Sequence, residues 1–396
     1  MSKDVFVVDG ARTPFGAFGG AFKDVSAIEL GAAAASAAME RSDIEPSRID
    51  QVFFGNVIQT STDAIYMARH VGLKSGVPTE VPALTVNRLC GSGLQAMISG
   101  AQAMLLDEAD AVLAGGAENM SQAPYVVYGA RWGLRLGSTE FQDYLFQALN
   151  DPYCGCDMAN TAENLAEEYG ISRQEVDEFA LRSQQAAAAA QEKCYFTAEI
   201  VPVSVPGKKG PVEVARDEHP RPDTSAEVLA RLQPVFRKNG VVTAGNASGI
   251  VDGAAAVVLA TEEGLGGKRP IGRIVSWGVV GVEPRIMGIG PARAIPAALE
   301  RAGLTMDDID LIEINEAFSA QYLAVERELG LDRDRVNVNG GAIAIGHPLG
   351  ASGARLGLTL LYELRRRGGR FGVASACIGG GQGIAVVFEA LGENGS

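Results

Sequence analysis

Two cysteines and one histidine, each set among glycines, are the residues of this 396-residue chain whose types and spacing best suit covalent chemistry. Cys90 opens Cys-Gly-Ser-Gly, Cys377 opens Cys-Ile-Gly-Gly-Gly, and His347 lies in Ile-Gly-His-Pro. A thiolate can carry an acyl group, an imidazole can take its proton, and glycine lets backbone N–H groups approach a developing oxyanion. This combination predicts an enzyme of acyl transfer.

Cys90 stands where an extended segment is expected to turn into a helix that begins near Gly91. A free thiol with a pKa near 8.5 is mostly protonated at neutral pH, so a nucleophilic cysteine needs a helix N-terminus, a nearby base, or both. The expected helix offers its partial positive end to the sulfur. We therefore predict that Cys90 carries the acyl group; the alternative is a buried small hydrophobe, the usual fate of a lone cysteine.

His347 is one of three histidines in the chain, and it precedes a proline, which disfavours helical backbone. We predict that it lies on a loop and acts as the base that takes the thiol proton of Cys90. A structural histidine is the alternative for His347. The structural role is the interpretation that suits His70, in a helical-looking segment, and His219, in a proline-rich one.

The chain aligns with itself at a shift of 260 positions, which pairs Asp50 with Asp310. In both copies an acidic stretch leads into an apolar run, and a later Gly-Ser-Gly or Gly-Ala-Ser-Gly turn opens an apolar helix. The shift indicates an internal duplication. It also matches position 347 to position 87, three residues before Cys90, so pseudo-symmetry would bring His347 and Cys90 together between the halves.

Short apolar strands alternate with helical stretches in each half, which predicts an α/β sandwich with sheets covered on both faces. The predicted strands are 5–8, 112–114, 274–276 and 371–374, and the predicted helices include 28–39, 93–106 and 183–192. Residues 120–246 have no counterpart under the shift. We predict an N-terminal half of 1–119 plus 247–270, an inserted loop domain of 120–246 that carries binding function, and a C-terminal half of 271–396.

The formal net charge of −14 argues against sequence-independent nucleic-acid binding, which needs clustered Lys and Arg. No apolar run approaches the ~18 residues of a membrane span, and the first residues lack the features of a secretory signal, so we expect a cytoplasmic protein without membrane insertion. One local group of basic side chains could hold a phosphorylated ligand or could equally be a solvated face. Its members are Lys208, Lys209, Arg216 and Arg221.

The five cysteines are too few and too scattered for a disulfide framework, so we expect reduced thiols. Cys154-Gly-Cys156 lacks both the spacing and the second ligand pair of a zinc site. We therefore predict no metal.

Five longer motifs carry a resemblance to a known family. They are Asn-Arg-Leu-Cys-Gly-Ser-Gly at 87–93, Thr-Ala-Gly-Asn-Ala-Ser-Gly at 243–249, Asn-Glu-Ala-Phe at 315–318, Gly-His-Pro at 346–348 and Cys-Ile-Gly-Gly-Gly at 377–381. They resemble the signatures of the thiolases, which cleave or form 3-ketoacyl-CoA thioesters, and most of all the 3-ketoacyl-CoA and acetoacetyl-CoA thiolases. The resemblance runs from the first strand to the last and implies a duplicated five-layer αβαβα sandwich, with the two Gly-Ser-Gly helices meeting in the middle.

The resemblance also implies roles for residues that match its motifs. Cys377 would exchange the proton of the departing acetyl-CoA enolate. One oxyanion hole would consist of His347 and a water held by Asn315, and the other of the N–H groups of Cys90 and Gly379. From its sequence context alone, Asn315 could equally be a turn residue or a helix cap.

Coenzyme A enters as a substrate of the thiolases, with no permanently bound cofactor, and the inserted domain would hold much of it and contribute contacts to a homotetramer. The residues that match the family's CoA and acyl contacts are Arg221, Ser248, Phe236, Met158, Met287 and Phe318. Each apolar member could instead belong to the core. Short-chain biosynthetic thiolases usually have His where this chain has Asp157, which speaks against strict acetoacetyl specificity.

Two other classes fit parts of the pattern. Decarboxylating condensing enzymes share the duplicated fold but use one cysteine and two histidines, whereas this chain has Cys377 and no second histidine in a comparable glycine loop. A noncatalytic acyl-CoA or lipid carrier on the same scaffold could lack the reactive residues, which this chain keeps.

Overall fold

The computed structural model describes residues 3–392. Its strands are β1 Val5–Arg12, β2 Gly16–Ala17, β3 Gln51–Gly55, β4 Ala83–Val86, β5 Ala111–Asn119, β6 Tyr125–Val126, β7 Gln142–Asp143, β8 Asn150–Asp151, β9 Cys156–Asp157, β10 Val203–Val205, β11 Val212–Val214, β12 Val251–Ala260, β13 Gly272–Gly281, β14 Leu311–Ile314, β15 Phe371–Ile378 and β16 Gln382–Ala390.

Several of the α-helices begin at side-chain caps that the sequence supplies. The first helix, for example, has a capping box in which the side chains of Ser26 and Glu29 each accept a backbone N–H of the other residue. The helices are α1 Ala27–Ser42, α2 Met67–Lys74, α3 Ser92–Leu105, α4 Tyr144–Ala148, α5 Met158–Glu168, α6 Arg173–Glu192, α7 Ala226–Arg231, α8 Glu262–Leu265, α9 Gly290–Ala302, α10 Ser319–Leu329, α11 Ala342–Ile345 and α12 Leu349–Arg367.

The main sheet has the strand order β14-β15-β16-β13-β1-β12-β5-β3-β4, with β2 paired to β12 outside this path. The strand β3 is parallel to β4 and β5, and β14 is parallel to β15. The strands of the first half therefore lie on one side and those of the second half on the other. The two half-sheets are joined through β1 and β13, which pair over three residues, rather than being separate as the layer description suggests.

The helices α3 and α12 form the central layer. Met97 on α3 and Leu356 on α12 share one buried cluster with Val112 from the first half and Phe388 from the second. Helices α1 and α2 cover the outer face of the first half, and α9 and α10 cover that of the second. The continuous sheet thus wraps around the two central helices, which agrees with the predicted order helix, sheet, helix, sheet, helix.

Equivalent contacts at the predicted shift support the internal duplication. Asp50 Oδ2 accepts the N–H groups of residues 110 and 111, and Asp310 Oδ2 accepts those of residues 370 and 371. The helices α3 and α12 also meet at equivalent glycines. A Cβ on Gly93 would lie 2.4 Å from the nitrogen of Ala354, and one on Gly353 would lie 2.3 Å from that of Leu94.

The segment 120–246, predicted as an insertion, contains β6 to β11 and α4 to α7. Its strands form two-stranded sheets apart from the main sheet. The elements are mostly longer than predicted, since α6 has 20 residues and β5 has nine. The domain boundaries stay a prediction, and their outermost residues, 1–2 and 393–396, lie outside the described residues.

Within residues 3–392, no helix is long and apolar enough to cross a membrane. The same part of the chain contains no group of three or more His, Cys, Asp or Glu side chains arranged to hold a metal ion. All five cysteines are free thiols.

Candidate active site

Cys90 follows a tight turn between β4 and α3. Leu89 has a φ of +46°, a left-handed conformation that is rare for a side chain of this kind. Two polar side chains stabilise the turn: Asn87 Oδ1 accepts the Leu89 N–H at 3.0 Å, and Ser92 Oγ accepts the Arg88 N–H at 2.9 Å. The turn therefore places Cys90, a residue of intermediate exposure, beside the N-terminus of α3, as predicted.

The Cys90 sulfur also faces the glycine loop that follows Cys377. The pKa of Cys90 is raised to about 11, chiefly by burial and to a smaller extent by the charge of Glu118, against the opposing effect of the Gly379 N–H and of the N–H of Cys90 itself. Gly379 lies against the Cys90 turn, since a Cβ built on it would be 3.3 Å from Leu89 Cδ1, and an oxyanion donor would be needed in this region. In the free protein, the thiol form of Cys90 is favoured.

Cys377 lies in β15 and is fully buried. It packs in a small cluster with Met287, Ala317, Met158 and Phe318. Burial raises the pKa of Cys377 well above its ordinary value, and the nearby Cys90 adds to the shift. The protonated thiol of Cys377 is therefore favoured.

His347 is buried and has defined hydrogen-bond partners on both ring nitrogens. Nδ1 lies 2.5 Å from Ser352 Oγ, and Nε2 lies 3.2 Å from Asn315 Nδ2. Because the Ser352 hydroxyl donates to the Pro348 carbonyl at 3.0 Å, its oxygen accepts from Nδ1–H, which leaves the lone pair on Nε2. Burial lowers the pKa of His347 to about 3, and the charge of Arg355 lowers it further, so the ring is neutral.

Among the described residues, the partners of the His347 ring are Ser352 and Asn315 rather than the Cys90 sulfur. The predicted proton transfer from Cys90 therefore has no preformed hydrogen bond. The segments that carry the two residues nevertheless meet. Leu349, two positions after His347, packs in one apolar cluster with Cys90 and Met120.

Asn315 connects His347 to the strand that carries Cys377. It follows β14, and its N–H donates to the Ser375 carbonyl on β15 at 2.9 Å. It is not the cap of the next helix, because α10 begins at Ser319 with Phe318 in the cap position. Its Oδ1 is buried and has no hydrogen-bond partner among the described residues, so it is available to a water or a substrate.

The predicted CoA and acyl residues divide into two groups. Ser248 lies at the site: its N–H donates to the Ala317 carbonyl at 3.0 Å, and the next residue, Gly249, accepts the His347 N–H at 2.9 Å. Met158, Met287 and Phe318 surround Cys377. In contrast, Arg221 and Phe236 are exposed on the inserted segment, as are Lys208, Lys209 and Arg216.

Asp157, the departure from the short-chain pattern, caps α5. Its carboxylate accepts the backbone N–H and the side-chain amide of Asn160 at 2.7 and 2.8 Å. The charge is thereby directed to the N-terminus of its own helix. No imidazole occupies this position beside Met158.

The sequence is matched over residues 5–263 by the family pattern described as thiolase, N-terminal domain, and over residues 268–390 by the one described as thiolase, C-terminal domain. The chain belongs to the thiolase family. It is 54% identical to the mitochondrial 3-ketoacyl-CoA thiolase of Homo sapiens over 98% of this chain and 99% of that one. It is 50% identical to the beta-ketothiolase BktB of Cupriavidus necator over 99% of this chain and all of the relative.

Solved thiolase structures have the same fold. The human mitochondrial 3-ketoacyl-CoA thiolase in complex with CoA superimposes with a TM-score of 0.96 at 53% identity, covering 98% of each chain. The acetyl-CoA acetyltransferase of Bacillus anthracis gives 0.96 at 47% identity, covering 98% of this chain and 99% of that one. These comparisons confirm the predicted thiolase fold and the predicted enzyme class of acyl transfer.

Three residues of this thiolase site were missed by the sequence interpretation. Ser352 fixes the tautomer of His347, Arg355 lowers its pKa, and Glu118 raises the pKa of Cys90. The shift of 260 could have indicated Ser352, because it pairs that residue with Ser92, which supports the Cys90 turn. For Arg355 and Glu118 no sequence signal distinguishes a charge at the site from one in a distant ion pair.

Proposed function

We propose that this thiolase cleaves 3-ketoacyl-CoA with CoA to give acetyl-CoA and a shortened acyl-CoA, and catalyses the reverse condensation, through an acyl group on Cys90. The observation that carries the proposal is the contact between the segments of the two cysteines: Ile378 lies against Gly91, and Gly379 lies against Leu89. The names of the relatives agree with it, because they include 3-ketoacyl-CoA thiolase and acetyl-CoA acetyltransferase.

In the first half-reaction, Cys90 loses its proton to Nε2 of His347 and attacks the 3-keto carbon. The N–H groups of Cys90 and Gly379 stabilise the oxyanion of the tetrahedral adduct. The bond between C2 and C3 then breaks, its electron pair leaves as the acetyl-CoA enolate, and Cys377 protonates that carbon. The elevated pKa of Cys377 keeps the needed proton in place.

In the second half-reaction, the thiol of CoA gives its proton to the Cys377 thiolate and attacks the acyl group on Cys90. The Cys90 thiolate leaves and recovers its proton from His347, which restores the starting state. Protons and electron pairs balance over the cycle. Two half-reactions joined by an acyl-enzyme give ping-pong kinetics.

The enolate oxygen needs its own donors, and Asn315 supplies the means. Its buried Oδ1 without a protein partner suits a water that, together with His347, would bind the thioester oxygen. Removing one oxyanion donor typically costs about 2.7–4 kcal/mol of transition-state stabilisation. This role for Asn315 explains why a polar atom remains unpaired at the centre of the protein.

The acyl pocket favours a range of 3-ketoacyl chains over strict acetoacetyl-CoA use. Met158 and Met287 are flexible side chains that adapt to different occupants. The carboxylate of Asp157 is engaged in capping α5, so it does not take the part of the histidine found in short-chain enzymes. Turnover of C4, C6, C8 and longer 3-ketoacyl-CoA esters would measure this range; activity with the C4 ester alone would contradict it.

A homotetramer is part of the proposal, supported by exposed apolar side chains on the inserted segment. Trp132, Leu136 and Tyr153 are 87, 97 and 88% exposed, and large apolar surface of this kind marks contact sites. The edge strand β4, with Leu84 exposed, offers a second surface. Sedimentation equilibrium would measure the mass; a monomer at micromolar concentration would contradict this.

We further propose a cytoplasmic location. The five free thiols support a reducing compartment, a condition that the mitochondrial matrix shares. Fractionation of the source cells with compartment markers would test the location, and recovery with an organelle fraction would contradict it.

The test of function is thiolysis of acetoacetyl-CoA and longer esters by the wild-type protein, Cys90→Ala and Cys377→Ala. We expect turnover only in the wild type, and mass spectrometry after brief exposure to substrate should find the acyl group on the Cys90 peptide. A folded wild-type protein without turnover would favour the noncatalytic carrier. An acyl mass on another peptide would contradict the assigned nucleophile.

A further inference from the structure

Glu118 is a fully buried carboxylate near the end of β5 that receives four hydrogen bonds. Its Oε1 accepts from Asn56 Nδ2 and the Ile58 N–H, each at 3.0 Å. Its Oε2 accepts the N–H groups of Val57 at 3.1 Å and Gly350 at 2.9 Å. The first three donors lie in the loop after β3, and the fourth lies in the first turn of α12. One carboxylate therefore joins the two halves.

The first turn of α12 is seated against backbone of the first half. A Cβ on Gly350 would lie 2.8 Å from the Gly55 carbonyl oxygen and 3.0 Å from that of Ala117. A Cβ on Gly116 would lie 1.9 Å from the Gly350 oxygen. Only glycine fits such a close approach. Glu118 accepts the N–H of Gly350, so it holds the first turn of α12 where the backbones of the two halves approach most closely.

The contact of Glu118 with Gly350 is relevant to the reaction because Gly350 lies close in sequence to His347 and Leu349. His347 precedes Gly350 by three residues, and Leu349 packs in the cluster that includes Cys90. Under the shift of 260, Gly350 is the counterpart of Cys90, and Glu118 is the counterpart of Ile378, whose side chain meets Gly91. Glu118 and Ile378 thus occupy equivalent positions, and each contacts the start of the other half's central helix, one by hydrogen bonding and one by apolar packing.

We propose that Glu118 is a positioning residue for acyl transfer, which binds the loop of His347 to the first half and fixes its distance from Cys90. The inference rests on the proposed function. The charge of Glu118 also acts on Cys90 directly. Two other ionisable groups interact with Glu118 and Cys90. Asp252, in the first half, raises the pKa of Glu118. Cys377, in the second half, has its own pKa raised by Cys90.

The test compares Glu118→Gln and Glu118→Asp with the wild type. Glutamine places an NH₂ group against two N–H donors, and aspartate is too short to reach Gly350, so turnover should fall about 10-fold or more in both, because displacements near 1 Å cost up to ~100-fold. Asp310→Asn is the matched control, since Asp310 also accepts two backbone N–H groups but at the opposite end of β14 from Asn315. It should keep wild-type turnover.

A second measurement separates positioning from a general loss of structure. Alkylation of Cys90 by iodoacetamide, followed by mass spectrometry against pH without substrate, should shift to lower pH in Glu118→Gln because a neighbouring negative charge is gone. In Glu118→Asp, which keeps the charge, the shift should be smaller. The buried Cys377 should stay unmodified in both, which reports that the fold is intact.

Folded Glu118→Gln with turnover within twofold of the wild type, or with an unchanged alkylation profile, would overturn the proposal. Unfolding of both variants while Asp310→Asn stays folded would assign Glu118 a purely structural role and overturn it as well. Because alkylation needs no substrate, a wild-type protein without thiolysis would refute the proposed function separately, whatever the alkylation profiles show.

Discussion

Ser352 is a residue whose loss should reduce turnover although it touches neither sulfur. Its hydroxyl accepts from Nδ1–H of His347 and donates to the Pro348 carbonyl. Ser352→Ala leaves a buried N–H without a partner, which costs about 1–3 kcal/mol, and removes the group that fixes the tautomer. If this whole cost falls on the reactive orientation of the ring, kcat decreases by about 5- to 150-fold, at 1.36 kcal/mol per factor of ten.

The assay is steady-state thiolysis together with the pH dependence of kcat. The KM for CoA should change little, because the hydroxyl is buried behind the ring. Ser276→Ala is the matched control, since its buried hydroxyl also donates to a carbonyl, that of Ala298 at 2.6 Å, but lies between β13 and α9. Equal kcat for Ser352→Ala and the wild type, within a factor of two, would refute the reasoning about the tautomer.

Three further outcomes follow from burial and contact. The alkylation rate of Cys90 in the free enzyme should still rise at pH 9.5, where an ordinary thiol with a pKa near 8.5 has levelled off, because burial raises its pKa to about 11; a plateau by pH 9 would contradict this. Gly93→Ala should destabilise the protein by about 1–3 kcal/mol, measured by calorimetry, since its Cβ would lie 2.4 Å from the Ala354 nitrogen; unchanged thermal unfolding would show that the helices can separate. Arg12→Ala should cost about 3–5 kcal/mol in chemical denaturation, because it leaves two buried carboxylates unpaired; a loss below 1 kcal/mol would indicate that they become protonated without penalty.

The sequence was sufficient to predict the fold class, whereas the predicted site residues divide between those around Cys377 and those, such as Arg221 and Phe236, that are exposed on the inserted segment. The repeat at 260 positions predicted the pairing of Asp50 with Asp310, and the structure shows the same two hydrogen bonds at each. The glycine-rich motifs likewise indicated Cys90, Cys377 and His347 as candidate reactive residues. Local patterns of this kind are visible in one stretch of chain.

The details of the site depend on contacts between distant residues, which one sequence does not reveal. The predicted oxyanion hole consisted of His347 and a water held by Asn315, and the direct contact of the ring with the Asn315 side chain was not foreseen. Whether a carboxylate such as Glu118 meets four N–H groups or solvent depends on how the two halves close. The joining of the half-sheets through β1 and β13 also depends on contacts between distant residues, because only three residue pairs form it.

The duplicated halves have equivalent frameworks but different chemical groups, and this difference makes an asymmetric site possible. Position 90 carries the nucleophile, whereas its counterpart, Gly350, has no side chain and so allows the second helix to approach the first half closely. A side chain at position 350 would push away the turn that carries His347, because its Cβ would lie 2.8 Å from the Gly55 carbonyl oxygen. The glycine in one half is therefore a structural requirement for the cysteine in the other. It follows that Gly350→Ala should impair turnover while leaving the sulfur of Cys90 and its immediate turn unchanged.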